Sequence, residues 1–217
     1  PQAGMAEGGI QRTQKDIALK NQFETVANAI RKEKWEEALK ENETLAVLEP
    51  DNPIVNYNFG VVYGQLGRNE EAVSRLKKAI ETFPNYADAH RRLGLIYESM
   101  GLLSESLDAF ETYLKVVADQ TGEEAQKARE RIDDIRSKQE KKEKIKETAE
   151  ETRTALEQKD IEGAIRNAEA LLLLSEKDPD IHMVLARLYT GAGRTEDALR
   201  SIERTISLDP NRSEAWW

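Results

Sequence analysis

The chain has 217 residues, no cysteine, and a formal charge of −9 from 41 acidic and 32 basic side chains. This composition excludes disulfides and thiolate metal sites and argues against non-specific binding to nucleic acid or anionic membrane. The mean hydropathy is −0.69, and no apolar run approaches the roughly 18 residues that span a bilayer, so no membrane insertion is expected. The composition predicts a soluble, helix-favouring chain, the cytoplasm being favoured over an exported location; the opening PQAGMAEGGI lacks the basic start and apolar centre of a signal peptide.

In chain order, residues 1–12 are expected to be disordered. Residues 13–120 read as three helix pairs, over about 19–52, 53–86 and 87–120. The first pair predicts helices around Asp16–Lys32, with Phe23, Val26 and Ile30 inward, and around Trp35–Leu48, with Trp35 a packing residue. The next two are near-copies, PIVNYNFGVVYGQLGRNEEAVSRLKKAIETFPNY and ADAHRRLGLIYESMGLLSESLDAFETYLKVVADQ. Phe59-Gly60 falls on Leu93-Gly94, Tyr63 on Tyr97, Gly67 on Gly101, Ala72 on Ser106 and Leu76 on Phe110, an offset of 34 residues.

Each copy has apolar residues three or four apart on either side of Gly67 or Gly101, which suits a left-handed residue closing a helix. Gly60 and Gly94 lie inside the first helix, where glycine costs about 1 kcal/mol relative to alanine. That cost is accepted where two helices approach closely, and Ala72 and Ser106 are the expected facing residues. Val26 replaces the glycine in the first pair, so its helices should sit farther apart. Asn52-Pro53 and Asp178-Pro179 read as a cap followed by proline at the first helical position.

The phase breaks after the third pair. Ser106 to Ala164 spans 58 positions, one period and 24 further residues, which places an insertion at 121–144. Thr121-x-x-Glu124 reads as a capping box, and Ala125, Ala128, Ile132 and Ile135 form a narrow stripe that should cover the end of the third pair. One long, charged helix is expected from about Glu123 towards Gln158, supported by pairs such as Glu123/Lys127. Residues 145–217 hold two further pairs, about 145–178 and 179–212, and SEAWW opens another helix, as if the array continued.

With these residues in place, the sequence resembles the tetratricopeptide-repeat family, whose pattern of Leu-Gly, Tyr, Gly, Ala, a large residue and Pro is met almost throughout 53–120 and again at Leu185-Ala186, Tyr189, Gly193, Ala198, Ile202 and Pro210. The resemblance implies an all-α solenoid, a right-handed superhelix of helix-turn-helix repeats whose first helices line a concave groove for a protein or peptide partner. Carried over position by position, the groove would be lined by Ile54, Tyr57, Asn58, Val61 and Gln65, by Asp88, Arg91, Arg92, Leu95 and Glu98, and by Met183, Val184 and Arg187. Arg91 and Arg92 suit a carboxylate, or else pair with Asp88 and Glu98. The family's carboxylate clamp is matched at Asn58 and Arg92 only, because Asp88 and Phe23 stand where it wants lysine and Ala27 where it wants asparagine. The expected partner is therefore an extended segment with an apolar anchor and an acidic group.

No catalytic, metal or cofactor site is expected. His90 and His182 fall at the fourth position of their repeats, where side chains pack between helices, and no HExxH, phosphate loop or GxGxxG occurs. The alternative readings are self-association through the array ends and the Leu171–Leu174 run, giving a homo-oligomer, or a regulatory arm of a larger multidomain protein.

Overall fold

The computed structural model describes the backbone of residues 2–211 and the side chains of residues 16–211; the helix expected around Trp216 lies outside them. Among the described residues there are ten helices and no strand: α1 (Gln2–Arg31), α2 (Trp35–Leu48), α3 (Pro53–Gln65), α4 (Asn69–Thr82), α5 (Ala87–Ser99), α6 (Leu103–Val116), α7 (Glu123–Glu157), α8 (Ile161–Leu174), α9 (Pro179–Gly191) and α10 (Thr195–Leu208). Consecutive helices pair, α1 with α2, α3 with α4, α5 with α6 and α9 with α10. α7 and α8 meet in a core that includes Ala155, Ala164 and Ala168. One compact unit ends at Ile135 and a second begins at Arg136, so α7 contributes its first turns to one and the remainder to the other.

The disorder expected over 1–12 is replaced by helix, since α1 starts at Gln2 rather than near Asp16. Extending a helix whose later turns are packed adds one hydrogen bond per residue without a second nucleation. The long inserted helix runs Glu123–Glu157, close to its expected limits. Its start differs in detail: Thr121 donates its hydroxyl to Asp119 Oδ1 at 2.9 Å, and the amides of Thr121 and Gly122 donate to the same oxygen. Asp119, not a Thr121 capping box, therefore holds the entry to α7, and these three donors keep its carboxyl below the usual range.

The turn inside each helix pair closes alike. Lys34, Arg68, Leu102, Asp160 and Arg194 each donate a backbone N–H to the carbonyl five residues back, at 2.8–3.0 Å, with the residue before each in the left-handed region. That residue is Gly67, Gly101 or Gly193 at φ 74°, but Glu33 at 55° and Lys159 at 59° in the first and fourth pairs. Asn52 accepts from Ile54 N and Asp178 from Asp180 N, both at 2.9 Å, so the two Asn/Asp-Pro starts cap as expected.

The interior glycines have a different neighbour from the one expected. A Cβ on Gly60 would collide with Leu76 Cγ, and one on Gly94 would lie 2.9 Å from the Phe110 ring. The large residues of the second helix, not Ala72 or Ser106, therefore fill the notches. Ser106 contributes otherwise, donating its hydroxyl to the Gly94 carbonyl at 2.9 Å. In the second unit Leu171, Ile181, Leu185, Leu188 and Tyr189 join the core of α8 and α9.

Candidate functional site

The first helices of the repeats carry the expected groove residues, and the structure sorts them by availability. Ile54 is about half exposed (47%), and with Lys20, Phe23, Glu24, Ala27 and Asn58 it lines an open cleft of about 320 Å³ between α1 and α3. Asn58 is itself mostly buried. Asn42 donates Nδ2 to the Val55 carbonyl at 2.9 Å, and its Oδ1 faces Asn58 Nδ2 at 3.4 Å, which fixes the Asn58 amide at the back of the cleft. Gln65 and Asp88 are exposed and Tyr57 is half-buried. Val61 and Met183 are buried, at 4% and 7% exposure, so they pack inside their units instead of lining a surface. Met183, Val184 and Arg187 belong to the second unit, the other groove residues to the first.

The adjacent arginines have different surroundings. Arg91 Nη1 lies 2.8 Å from Glu124 Oε2 at the start of α7, with Asp88 Oδ1 at 3.7 Å from its other terminal nitrogen. Glu98, an expected partner of this pair, is instead held by Arg131 at 2.5 Å. Ala128, Ile132 and Ile135 of α7 pack on Phe110 and Tyr113, with Leu95 beside them, so this part of the third repeat is already covered. The stripe read from the sequence does its expected work. Arg92 makes no ion pair among the described residues and its side chain hydrogen-bonds the Tyr57 phenol; the buried Nε atoms of both arginines have no hydrogen-bond partner.

Tyr57 lies beside Arg92 and meets the Tyr86 ring at a tilt of 36°, with 5.0 Å between ring centroids. Burial, then the nearby Asp88 carboxylate, pushes the Tyr57 phenol above its ordinary value, while Arg92 opposes the rise. The phenol thus stays neutral and can donate a hydrogen bond. Sequence reasoning passed over Tyr86, which lies outside the family's groove positions, and over Lys20, which stands 34 residues before Ile54 at an equivalent one. Phase alone could not mark Glu124 either, because it comes from the inserted helix.

The histidines are occupied by backbone. His90 Nε2 meets the Pro84 carbonyl at 2.8 Å and His182 Nε2 meets that of Glu176 at 3.2 Å. Asn56, at the same repeat position, donates to the Pro50 carbonyl at 3.3 Å. In three repeats the fourth residue therefore ties its helix to the loop six residues earlier. Among the described residues, no group of His, Asp and Glu side chains could hold a metal ion. No helix there is long and apolar enough to cross a membrane.

Two family models match the chain, one described as "Tetratricopeptide repeat" over residues 155–217 and one as "TPR repeat" over residues 63–101. These are tetratricopeptide repeats. Among curated proteins, the TPR repeat-containing thioredoxin TTL4 of Arabidopsis thaliana is 37% identical over 71 residues, 33% of this chain and 10% of that protein. The photosystem I assembly protein Ycf3 of Synechococcus sp. is 36% identical over 75 residues, 34% of this chain and 40% of Ycf3. DnaJ homolog subfamily C member 3 of Gallus gallus is 22% identical over 169 residues, 78% of this chain and 32% of that protein. The chain therefore spans a tenth to two fifths of the curated relatives it matches.

Solved structures share the tetratricopeptide fold. The TPR2AB domain of yeast Sti1, in complex with pHSP90, superposes with a TM-score of 0.53 at 17% identity, covering 93% of this chain and 81% of that one. The P58(IPK) TPR domain gives 0.51 at 18% identity, covering 92% and 53%. The Yersinia enterocolitica secretion chaperone SycD, in complex with a peptide of the translocator YopD, gives 0.53 at 15%, covering 56% and 95%.

Proposed function

We propose that the first unit is a non-enzymatic interaction module that holds an extended segment of a protein partner along the first helices of repeats one to three. One observation carries the reading: an apolar cleft of about 320 Å³ at Phe23, Ala27 and Ile54 lies in the same helix layer as Arg92, which makes no ion pair among the described residues, whereas the adjacent Arg91 is held by Glu124. The cleft suits an apolar side chain, and the guanidinium suits a carboxylate or main-chain carbonyl. Arg91 is left out, because Glu124 of the chain itself already supplies its carboxylate. Tetratricopeptide structures of this fold that hold peptide partners, such as SycD with its YopD peptide, support the class of activity without naming the partner.

Selection of random extended peptides against the intact chain, followed by titration of the selected peptide by fluorescence anisotropy, tests the site. Ile54→Asp and Arg92→Glu should each weaken binding by about tenfold or more, and Arg91→Ala by much less. Unchanged binding by both variants, with helicity intact, rules the site out.

A further inference from the structure

The stacking face of a repeat, where its first helix meets the second helix of the repeat before it, is apolar in the interior repeats. Running one residue past the helix end, it reads Val55, Phe59, Val62, Tyr63 and Leu66 at α3; Ala89, Leu93, Ile96, Tyr97 and Met100 at α5; and Ile181, Leu185, Leu188, Tyr189 and Ala192 at α9. Apart from the partly buried Leu66, Met100 and Ala192, all of these are buried. α2 packs on α3, α4 on α5 and α8 on α9.

The same five positions of α7 read Glu147, Glu151, Thr154, Ala155 and Gln158, and all but Ala155 are exposed. The pattern has one counterpart. In α1, which opens the first unit, the positions read Asn21, Thr25, Asn28, Ala29 and Lys32, again exposed except for the alanine. The likeness extends to the following residue, where Glu33 and Lys159 both take the left-handed turn that glycine takes in the other three repeats.

We infer that α7 from Ile145 onward is a second N-terminal cap, built to the plan of α1, and that the chain holds two arrays, each with its own beginning. A stacked array needs a polar outer face at its ends, because an apolar one would recruit another helix pair. Glu147 and Glu151 stand where an incoming second helix would bring apolar side chains, and burying an unpaired carboxylate there is prohibitive. This face takes no further repeat from a second copy. It follows that any self-association does not run through this end.

The test converts the cap into a stacking face. The intact chain carrying E147V, E151F and T154V, the residues of repeat two at those positions, should associate, with a sedimentation coefficient that rises with concentration beyond that of the unmodified chain. A variant that sediments like the unmodified chain overturns the inference. Charge reversal by E147K and E151K is the folding control: these side chains face water, so helicity and urea midpoint should be unchanged, and unfolding would also overturn it. In the unmodified chain, amides of residues 145–157 should exchange at least about tenfold faster than those of residues 181–189, since an uncovered end helix opens more readily than an interior one. Equal protection contradicts the cap.

Discussion

Repeats two and three differ from repeats one and four in which helix carries the bulk. In the former, the first helix has a notch, Gly60 or Gly94, and the second fills it with Leu76 or Phe110. In the latter, the first helix carries Val26 or Thr152, and the residue at the Leu76 position shrinks to Asn42 or Ala168. All four are buried. Repeat five is intermediate, with Ala186 and Ile202 at these positions. Close packing penalises bulk on both sides of one contact, so a larger residue on the first helix goes with a smaller one on the second. The family's glycine is thus one of two facing positions, and its loss does not mark a failed repeat when the partner shrinks with it.

The most direct way to break this comparison is to fill one notch without shrinking the partner. Gly60→Thr should destabilise the first unit by about 3 kcal/mol, because Leu76 must leave a good rotamer. Leu76→Ala alone should cost about as much through the cavity it leaves. The double variant reproduces the pair of repeat four, and the threonine hydroxyl could bond the carbonyl four residues back, as Thr152 does with Thr148 at 2.8 Å. It should cost less than the sum of the singles by at least about 1 kcal/mol in a urea-unfolding double-mutant cycle. Strict additivity would mean that the two positions do not share volume.

Much of this was legible in advance. The 34-residue phase, the turn glycines, the Asn52 and Asp178 caps and the inward stripe of α7 need only local spacing. The notch partner was misread because a helical period shows which face a residue occupies but not how far its side chain reaches across, so Ala72 seemed the closer neighbour of Gly60. The candidate site was less legible. Arg91 and Arg92 are adjacent in sequence and equivalent by composition. Only the fold reveals that Glu124, from a segment outside the repeat phase, engages one and leaves the other without an ion pair. Val61 and Met183 were assigned to the groove by position number, whereas packing within their units buries them.

A smaller effect sharpens the contrast at the stacking face, where interior repeats carry tyrosine and the two opening repeats carry alanine. Tyr189 donates its hydroxyl to Glu169 at 2.6 Å, and burial, then this carboxylate, pushes the phenol up to about 12. Since the folded value is raised, the stability it contributes is fully present below the ordinary phenol value of about 10 and is lost as pH climbs from there through about 12. Tyr189→Phe removes both the hydrogen bond and the titration. It should cost about 1 kcal/mol at neutral pH, and the gap to the unmodified chain should close as pH rises, in urea unfolding followed by circular dichroism. A pH-independent gap would show that the phenol ionises as freely folded as unfolded.

The smallest effects lie in the turns and distinguish the two repeat types by sign. Gly67 sits at φ 74° with nothing within 4 Å of a built Cβ, so Gly67→Ala meets no clash and feels only the backbone. A left-handed conformation costs an L-residue roughly 1–2 kcal/mol, partly offset because alanine loses less chain entropy on folding, so the variant should be destabilised by about 1 kcal/mol. Glu33 and Lys159 already bear that strain, at φ 55° and 59°. Glu33→Gly and Lys159→Gly should therefore stabilise by about 0.5 kcal/mol each, glycine's larger entropy loss taking back part of the relief. Urea midpoints of the three single variants read the signs directly. If glycine at 33 and 159 destabilises instead, the opening repeats draw something from these side chains that exceeds the backbone strain, and their turns are not weaker copies of the interior ones but a separate design.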